Sequence, residues 1–137
     1  MAEDFTRLHD AIRRFFPTAR LTPLGEAELS AIRSEFPQVP DHYLNFLRHV
    51  GWGSLGDNFM LYSGLVEANE IFDSRTSADL AGILFLGDDF AGWMLGFDTR
   101  NCWRLVGVDS SSLTAEPEQA QTMGDFFAQR ASEWESA

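Results

Sequence analysis

A chain of 137 residues, 45% hydrophobic and 13% aromatic, has the length of one domain, residues 1–137, and enough Phe and Trp for a packed core; disordered and fibrous classes are excluded. Ten arginines and no lysine stand against 21 acids, a net charge of −11, so chemistry that needs a P-loop, Schiff-base or kinase-strand lysine is excluded and phosphate-rich partners are repelled. The one cysteine, Cys102, excludes an internal disulfide framework and a multi-cysteine zinc site.

The first half reads as helices. Phe5, Leu8, Ile12 and Phe15 step by three and four, predicting a helix over 4–16 that Pro17 stops. Leu29, Ile32 and Phe36 stripe a second helix, 26–36, ended by Pro37. Tyr43, Phe46, Leu47 and Val50 mark a third, opened by Pro40-Asp41 and closed by Gly51. The period then changes. Phe59-Met60-Leu61-Tyr62 is a short strand, and Leu65 to Phe72 reads as a helical turn or two. Ile83–Leu86 and Trp93–Phe97 flank a six-residue turn-rich loop, 87–92, as in a hairpin. Cys102 to Val108 alternates as the next strand, and Asp109 to Gln121 is a polar loop. A last helix, striped by Met123, Phe127, Ala131 and Trp134, begins after Thr122, which is placed to cap it. The order predicts an α+β fold: N-terminal helices, a mostly antiparallel sheet and a C-terminal helix around one core. Met1-Ala2-Glu3-Asp4 lacks a signal-peptide pattern and no apolar stretch is long enough to span a bilayer, so a cytoplasmic chain with no membrane contact is expected.

Candidate chemistry is sparse. Gly51-Trp52-Gly53-Ser54-Leu55-Gly56 matches a dinucleotide fingerprint in letters, but a helix precedes it where a strand is needed, so a helix cap followed by a tight turn is expected. His9, His42 and His49 lack the i, i+4 spacing of a helical metal pair. Cys102 inside a strand reads as a small buried apolar residue. Asp88, Asp89, Asp98 and Asp109 are acids that could act in pairs, yet each adjoins Gly, Thr or Ser, where Asp is a turn residue. No catalytic group, metal or cofactor is expected.

Surface acids used for binding remain. Residues 1–55 hold six Arg against seven acids; residues 56–137 hold four Arg against fourteen, net −10. Asp57, Asp73, Asp79, Asp88, Asp89 and Asp98 are therefore expected to be solvated and to face a partner, with Asp88 and Asp89 at a hairpin tip. Trp52, among glycines, is the candidate apolar anchor.

Glu28-Leu29-Ser30-Ala31-Ile32-Arg33-Ser34-Glu35-Phe36, Val39-Pro40-Asp41-His42-Tyr43-Leu44-Asn45-Phe46-Leu47 and Gly51-Trp52-Gly53 together resemble the SUKH (Smi/Knr-type) superfamily, in which a helix is followed by a Leu-Pro-x-x-Tyr-x-x-Phe-Leu helix and an Asn-Gly-Gly turn. The Ile83–Phe97 hairpin, the Trp103 strand and Gly124-Asp125-Phe126-Phe127 are similar to its later elements, so the resemblance covers about residues 20–134. Val39 replaces the usual Leu, and Val50 stands where the family has Asn. The resemblance implies helices packed on a mostly antiparallel sheet and a non-enzymatic immunity protein. Bacterial members are mostly immunity proteins that each bind and neutralise a cognate toxin domain, often a nuclease, which the acidic charge of this chain would require to be basic; others are regulatory or scaffold modules. A small hydrolase built on Asp88, Asp89 and Asp98 is the alternative from another class.

Overall fold

Helix α1 (Thr6–Phe15) buries Leu8 and Ile12, with Phe5 buried before it and Phe16 after it. The computed structural model describes residues 5–56, 59–73, 75, 78 and 80–136, with backbone alone for Arg7, Phe15 and 131–136. Phe15 and Trp134, two expected stripe residues, thus have side chains outside the description. Helix α2 (Glu26–Glu35) buries Leu29 and half-buries Ile32. Helix α3 (Asp41–His49) follows Pro40, whose φ of −65° is already compatible with entry into a helix. It buries Tyr43, Leu44, Phe46 and Leu47.

Gly51 ends α3 as expected. The amides of Val50 and Gly51 both donate to the Phe46 carbonyl, at 2.8 and 3.0 Å. Gly51 has φ +108°, and a Cβ there would stand 2.5 Å from the Thr22 carbonyl, so only glycine fits. The expected tight turn does not follow. Trp52–Leu55 is strand β2, paired on one side with β1 (Arg20–Thr22) and on the other with β3 (Phe59–Glu67). Leu65 to Phe72 is likewise corrected: β3 runs on to Glu67, and a single 3₁₀ turn, Ala68–Glu70, follows. Gly64 disfavours a helix at this point, and Tyr62 and Val66 favour the extended chain.

Strands β4 (Ile83–Asp88), β5 (Trp93–Asp98), β6 (Arg104–Asp109) and β7 (Ala115–Pro117) complete a seven-stranded antiparallel sheet whose spatial order is its chain order. Both edge strands are three residues long, and β7 ends on Pro117; short edges of this kind resist pairing with another chain. Helix α4 (Met123–Ser136) then returns to pack on α1 and α3. The fold is α+β.

The expected single core is two. Residues from α1, α2, α3 and α4 pack with Leu61, Leu86, Leu95, Phe97 and Leu105 on one face of the sheet. On the other face, Ile83, Phe85, Met94, Val106 and Val108 are covered by Ala68, Phe72 and Leu80 from the β3–β4 connection. The cause is legible in β4: Ile83-Leu84-Phe85-Leu86 is apolar at every position, the pattern of a strand buried on both faces. Cys102 is also corrected. It lies exposed in the β5–β6 turn with φ +57°, because the turn extends through Trp103 before β6 begins.

Aromatic contacts lock the helices to the sheet. Phe46 stacks on Phe127 at 5.2 Å and meets Phe5 edge-on at 6.0 Å, while Tyr43 meets Phe97 edge-on at 5.5 Å. Burial pushes the Tyr43 phenol up, and its hydroxyl has no hydrogen-bond partner among the described residues. At the head of α4 the expected Thr122 cap forms, its Oγ1 accepting the Asp125 amide at 3.1 Å. A second cap comes from α3: His42 Nδ1 accepts the Met123 amide at 3.1 Å.

Two tests follow from this packing. Phe46→Ala should cost about 3–5 kcal/mol in denaturant unfolding, and a loss below about 1 kcal/mol would place Phe46 outside the packed core. Burial holds the His42 imidazole below its ordinary value, although Asp125 and Asp41 pull the other way. The unfolded chain therefore takes up the proton first, and stability should fall as pH drops through about 6.5, the ordinary histidine value. His42→Gln should flatten that part of the stability–pH curve; an unchanged slope in the variant would remove His42 as its source.

Candidate functional site

Antiparallel register sorts the loops into two ends of the sheet. Asp88 pairs across β5 with Met94, and Asp109 pairs with Trp93, so the β4–β5 loop and the β6–β7 turn share one end. Asp98 lies at the other, opposite Ile83 and Arg104. The structure thus brings Asp88, Asp89 and Asp109 together and separates Asp98 from them. Asp73 is exposed in the β3–β4 connection, and Asp57 and Asp79 fall outside the described residues.

The β4–β5 hairpin is as expected, but its strands reach further. Its loop is 89–92, four residues. Asp89 closes it: Oδ1 accepts the amides of Ala91 at 2.8 Å and Trp93 at 3.0 Å, and its own amide donates to the Trp93 carbonyl at 3.0 Å. Asp88 Oδ1 accepts the Phe90 amide at 2.9 Å, and Oδ2 accepts the Tyr62 hydroxyl at 2.5 Å. Burial and that bond to Asp88 together push the Tyr62 phenol up. The neighbouring turn is tied in by the Ser110 amide, which donates to the Gly92 carbonyl at 2.7 Å. Asp109 accepts the Ser111 amide and hydroxyl, which hold its carboxyl below the usual carboxylate range.

These bonds correct the expectation of freely solvated acids. Asp88, Asp89 and Asp98 are half-buried, and their carboxylates organise the turns they sit in. The turn-residue reading of Asp88, Asp89, Asp98 and Asp109 is what the structure shows. Each carboxylate still carries charge to the surface, but on a fixed backbone.

Trp52 is half-buried in β2 opposite Thr22, packed against the helix-side core. Register sets it two residues along β2 from Ser54, which lies in the row carrying Met60 and Asp88, and on the side away from the acidic end. The residue that the sequence reading passed over is Phe90. It is 56% exposed at the hairpin loop with φ +63°. The available signal was a lone large apolar residue inside a run of turn formers, Gly87-Asp88-Asp89-Phe90-Ala91-Gly92, where polar residues are the rule.

At the opposite end of the sheet a cleft of about 510 Å³ is bounded by Phe36, Glu67, Leu80, Thr99 and Trp103. The Glu67 carboxylate caps the Ala68–Glu70 turn, so it is already engaged. Among the described residues no group of three His, Cys, Asp or Glu side chains could hold a metal ion, and no helix is long and apolar enough to cross a membrane. The chain matches no protein-family model, no curated protein and no solved structure.

The loop's rigidity is open to measurement. Asp89→Ala removes the acceptor shared by the Ala91 and Trp93 amides. Hydrogen exchange at both should speed by about tenfold or more, since a bond to a charged acceptor is worth about 1.5–3 kcal/mol. Unchanged exchange would show that the loop is held by other contacts.

Proposed function

We propose that this chain is a non-enzymatic binding domain that neutralises a toxin domain by occlusion, acting in the cytoplasm of the cell that makes the toxin. The observation that carries the reading is the placement of Asp88, Asp89 and Asp109 on two bonded turns at one end of the sheet, within the half of the chain that holds a net −10. Acids on fixed backbone, half-buried at Asp88 and Asp89 and exposed at Asp109, set up a negative field that extends about 8 Å at physiological salt. A nuclease must hold a phosphate backbone and so carries a positive face. Such a face is steered towards this end of the sheet, which raises the association rate more than it strengthens the final complex. The SUKH resemblance supports the same reading from the helical half of the chain, through Pro40, Tyr43, Phe46, Leu47 and Gly51.

Pairwise catalysis by these acids has little to recommend it. Asp88 and Asp98 sit at opposite ends of the sheet, Asp88 commits both oxygens to the Phe90 amide and the Tyr62 hydroxyl, and Asp89 commits Oδ1 to the Ala91 and Trp93 amides.

The test uses the product of the adjacent gene, which this reading expects to be the toxin. Asn keeps one accepting oxygen at each position, enough for the Phe90, Ala91 and Trp93 amides, so Asp88→Asn with Asp89→Asn should retain the loop and lose its charge; at position 88 the Tyr62 hydroxyl then accepts from the new amide instead of donating to a carboxylate. Association measured by stopped flow should slow several-fold and depend less on salt, with dissociation little changed. An association rate indifferent to both salt and the double substitution leaves these acids only a solubility role.

A further inference from the structure

From the β4–β5 loop we infer that Phe90 is a pre-set apolar anchor that enters a pocket walled by basic side chains on the partner protein. The inference rests on the toxin-binding reading for the partner's identity, but its argument is local.

An exposed phenylalanine is ordinary when nothing else distinguishes it. Phe90 is distinguished three times. Its backbone, at φ +63°, is one that a bulky side chain adopts only under strain. Asn or Gly would occupy the same position with less strain. A residue that strains the backbone and stands 56% exposed contributes little to folding in return.

Second, the strain is enforced. Asp88 holds the Phe90 amide, Asp89 holds the amides of Ala91 and Trp93, and the Ser110 amide holds the Gly92 carbonyl. The ring is therefore carried on a fixed stalk. Binding then costs little ordering of the loop, and a rigid aromatic is what interface anchors use.

Third, the surroundings state the partner's chemistry. Asp88 and Asp89 directly precede Phe90 in the chain, and Asp109 closes β6 at the same end of the sheet. The Arg130 guanidinium, which lies at this end, is stacked over the Trp93 and Phe126 rings at 5.0 and 5.1 Å. A cavity that accepts Phe90 must meet carboxylates at its rim, so an acidic rim is repelled and an arginine- or lysine-rich one is drawn in. Occlusion follows if that cavity is the cleft in which a nuclease holds its phosphate substrate.

The decisive variants are Phe90→Asn, which suits the left-handed backbone, and Phe90→Leu, which keeps an apolar tip. Without any partner, Phe90→Asn should leave the melting temperature unchanged or raise it; a clear drop would make Phe90 a packing residue and overturn the inference. With the toxin of the adjacent gene, Phe90→Asn should weaken binding roughly thirtyfold, mostly through faster dissociation, while Phe90→Leu retains most of the affinity. Full affinity in Phe90→Asn would overturn the anchor and leave the immunity reading standing. If the wild-type chain does not bind that toxin, the immunity reading fails instead. Phe90 is then decided by placing a photo-crosslinking phenylalanine at position 90, with exposed Gln38 as control. Crosslinks mapped to an apolar, basic-rimmed pocket keep the anchor; a position 90 no more productive than position 38 removes it.

Discussion

The burial of one face of α3 is the contact on which the rest of the molecule depends. Phe46 joins α1 through Phe5 and α4 through Phe127, while Tyr43 joins the sheet through Phe97. A nine-residue helix is far too short to be stable alone, so α3 exists because its apolar face is covered on three sides. In turn it places His42 to cap α4, 81 residues further along the chain. Helices α1 and α4 are thereby fixed against one face of the sheet, and Phe90 in the β4–β5 loop stays exposed.

The opposite face obeys a different constraint. Among the described residues, Ala68, Phe72 and Leu80 of the β3–β4 connection cover it. Sealing both faces stiffens β4, β5 and β6, the strands from which the acidic turns project. Gly107 shows how tight that stacking is: a Cβ there would come within 2.4 Å of the Trp93 ring, which also stacks flat on Phe126 at 6.0 Å. The chain from α4 through Phe126 and Trp93 to the hairpin is thus a packed path from the core to the loop that carries Phe90.

Much of this was legible in the sequence where periodicity was long. Tyr43, Phe46, Leu47 and Val50 span two turns of one face, and Gly51 stops the helix for a steric reason that any side chain would violate. The β4–β5 hairpin was legible because two apolar runs bracket Gly and Asp. Strands β1, β2 and β7 were not, because three or four residues cannot display an alternation, and Trp52-Gly53-Ser54-Leu55 carries glycine where a strand signal would be. At the candidate site, the acids were found but their state was not: whether Asp88 faces water or Tyr62 depends on a partner 26 residues away. Phe90 was hidden because turn propensity marks a loop without saying which residue must take the left-handed backbone, and here phenylalanine takes it.

On the proposed reading, the end of the sheet bearing Asp88, Asp89, Phe90 and Asp109 is the surface that meets a toxin domain. Backbone NMR of the labelled chain, free and bound to the product of the adjacent gene, reads that surface directly. The amide resonances of residues 88–93 and 109–112 should shift most, with those of Glu67, Thr99 and Trp103 at the far end unmoved. Shifts confined to the far end, with the hairpin loop unchanged in the complex, would contradict it.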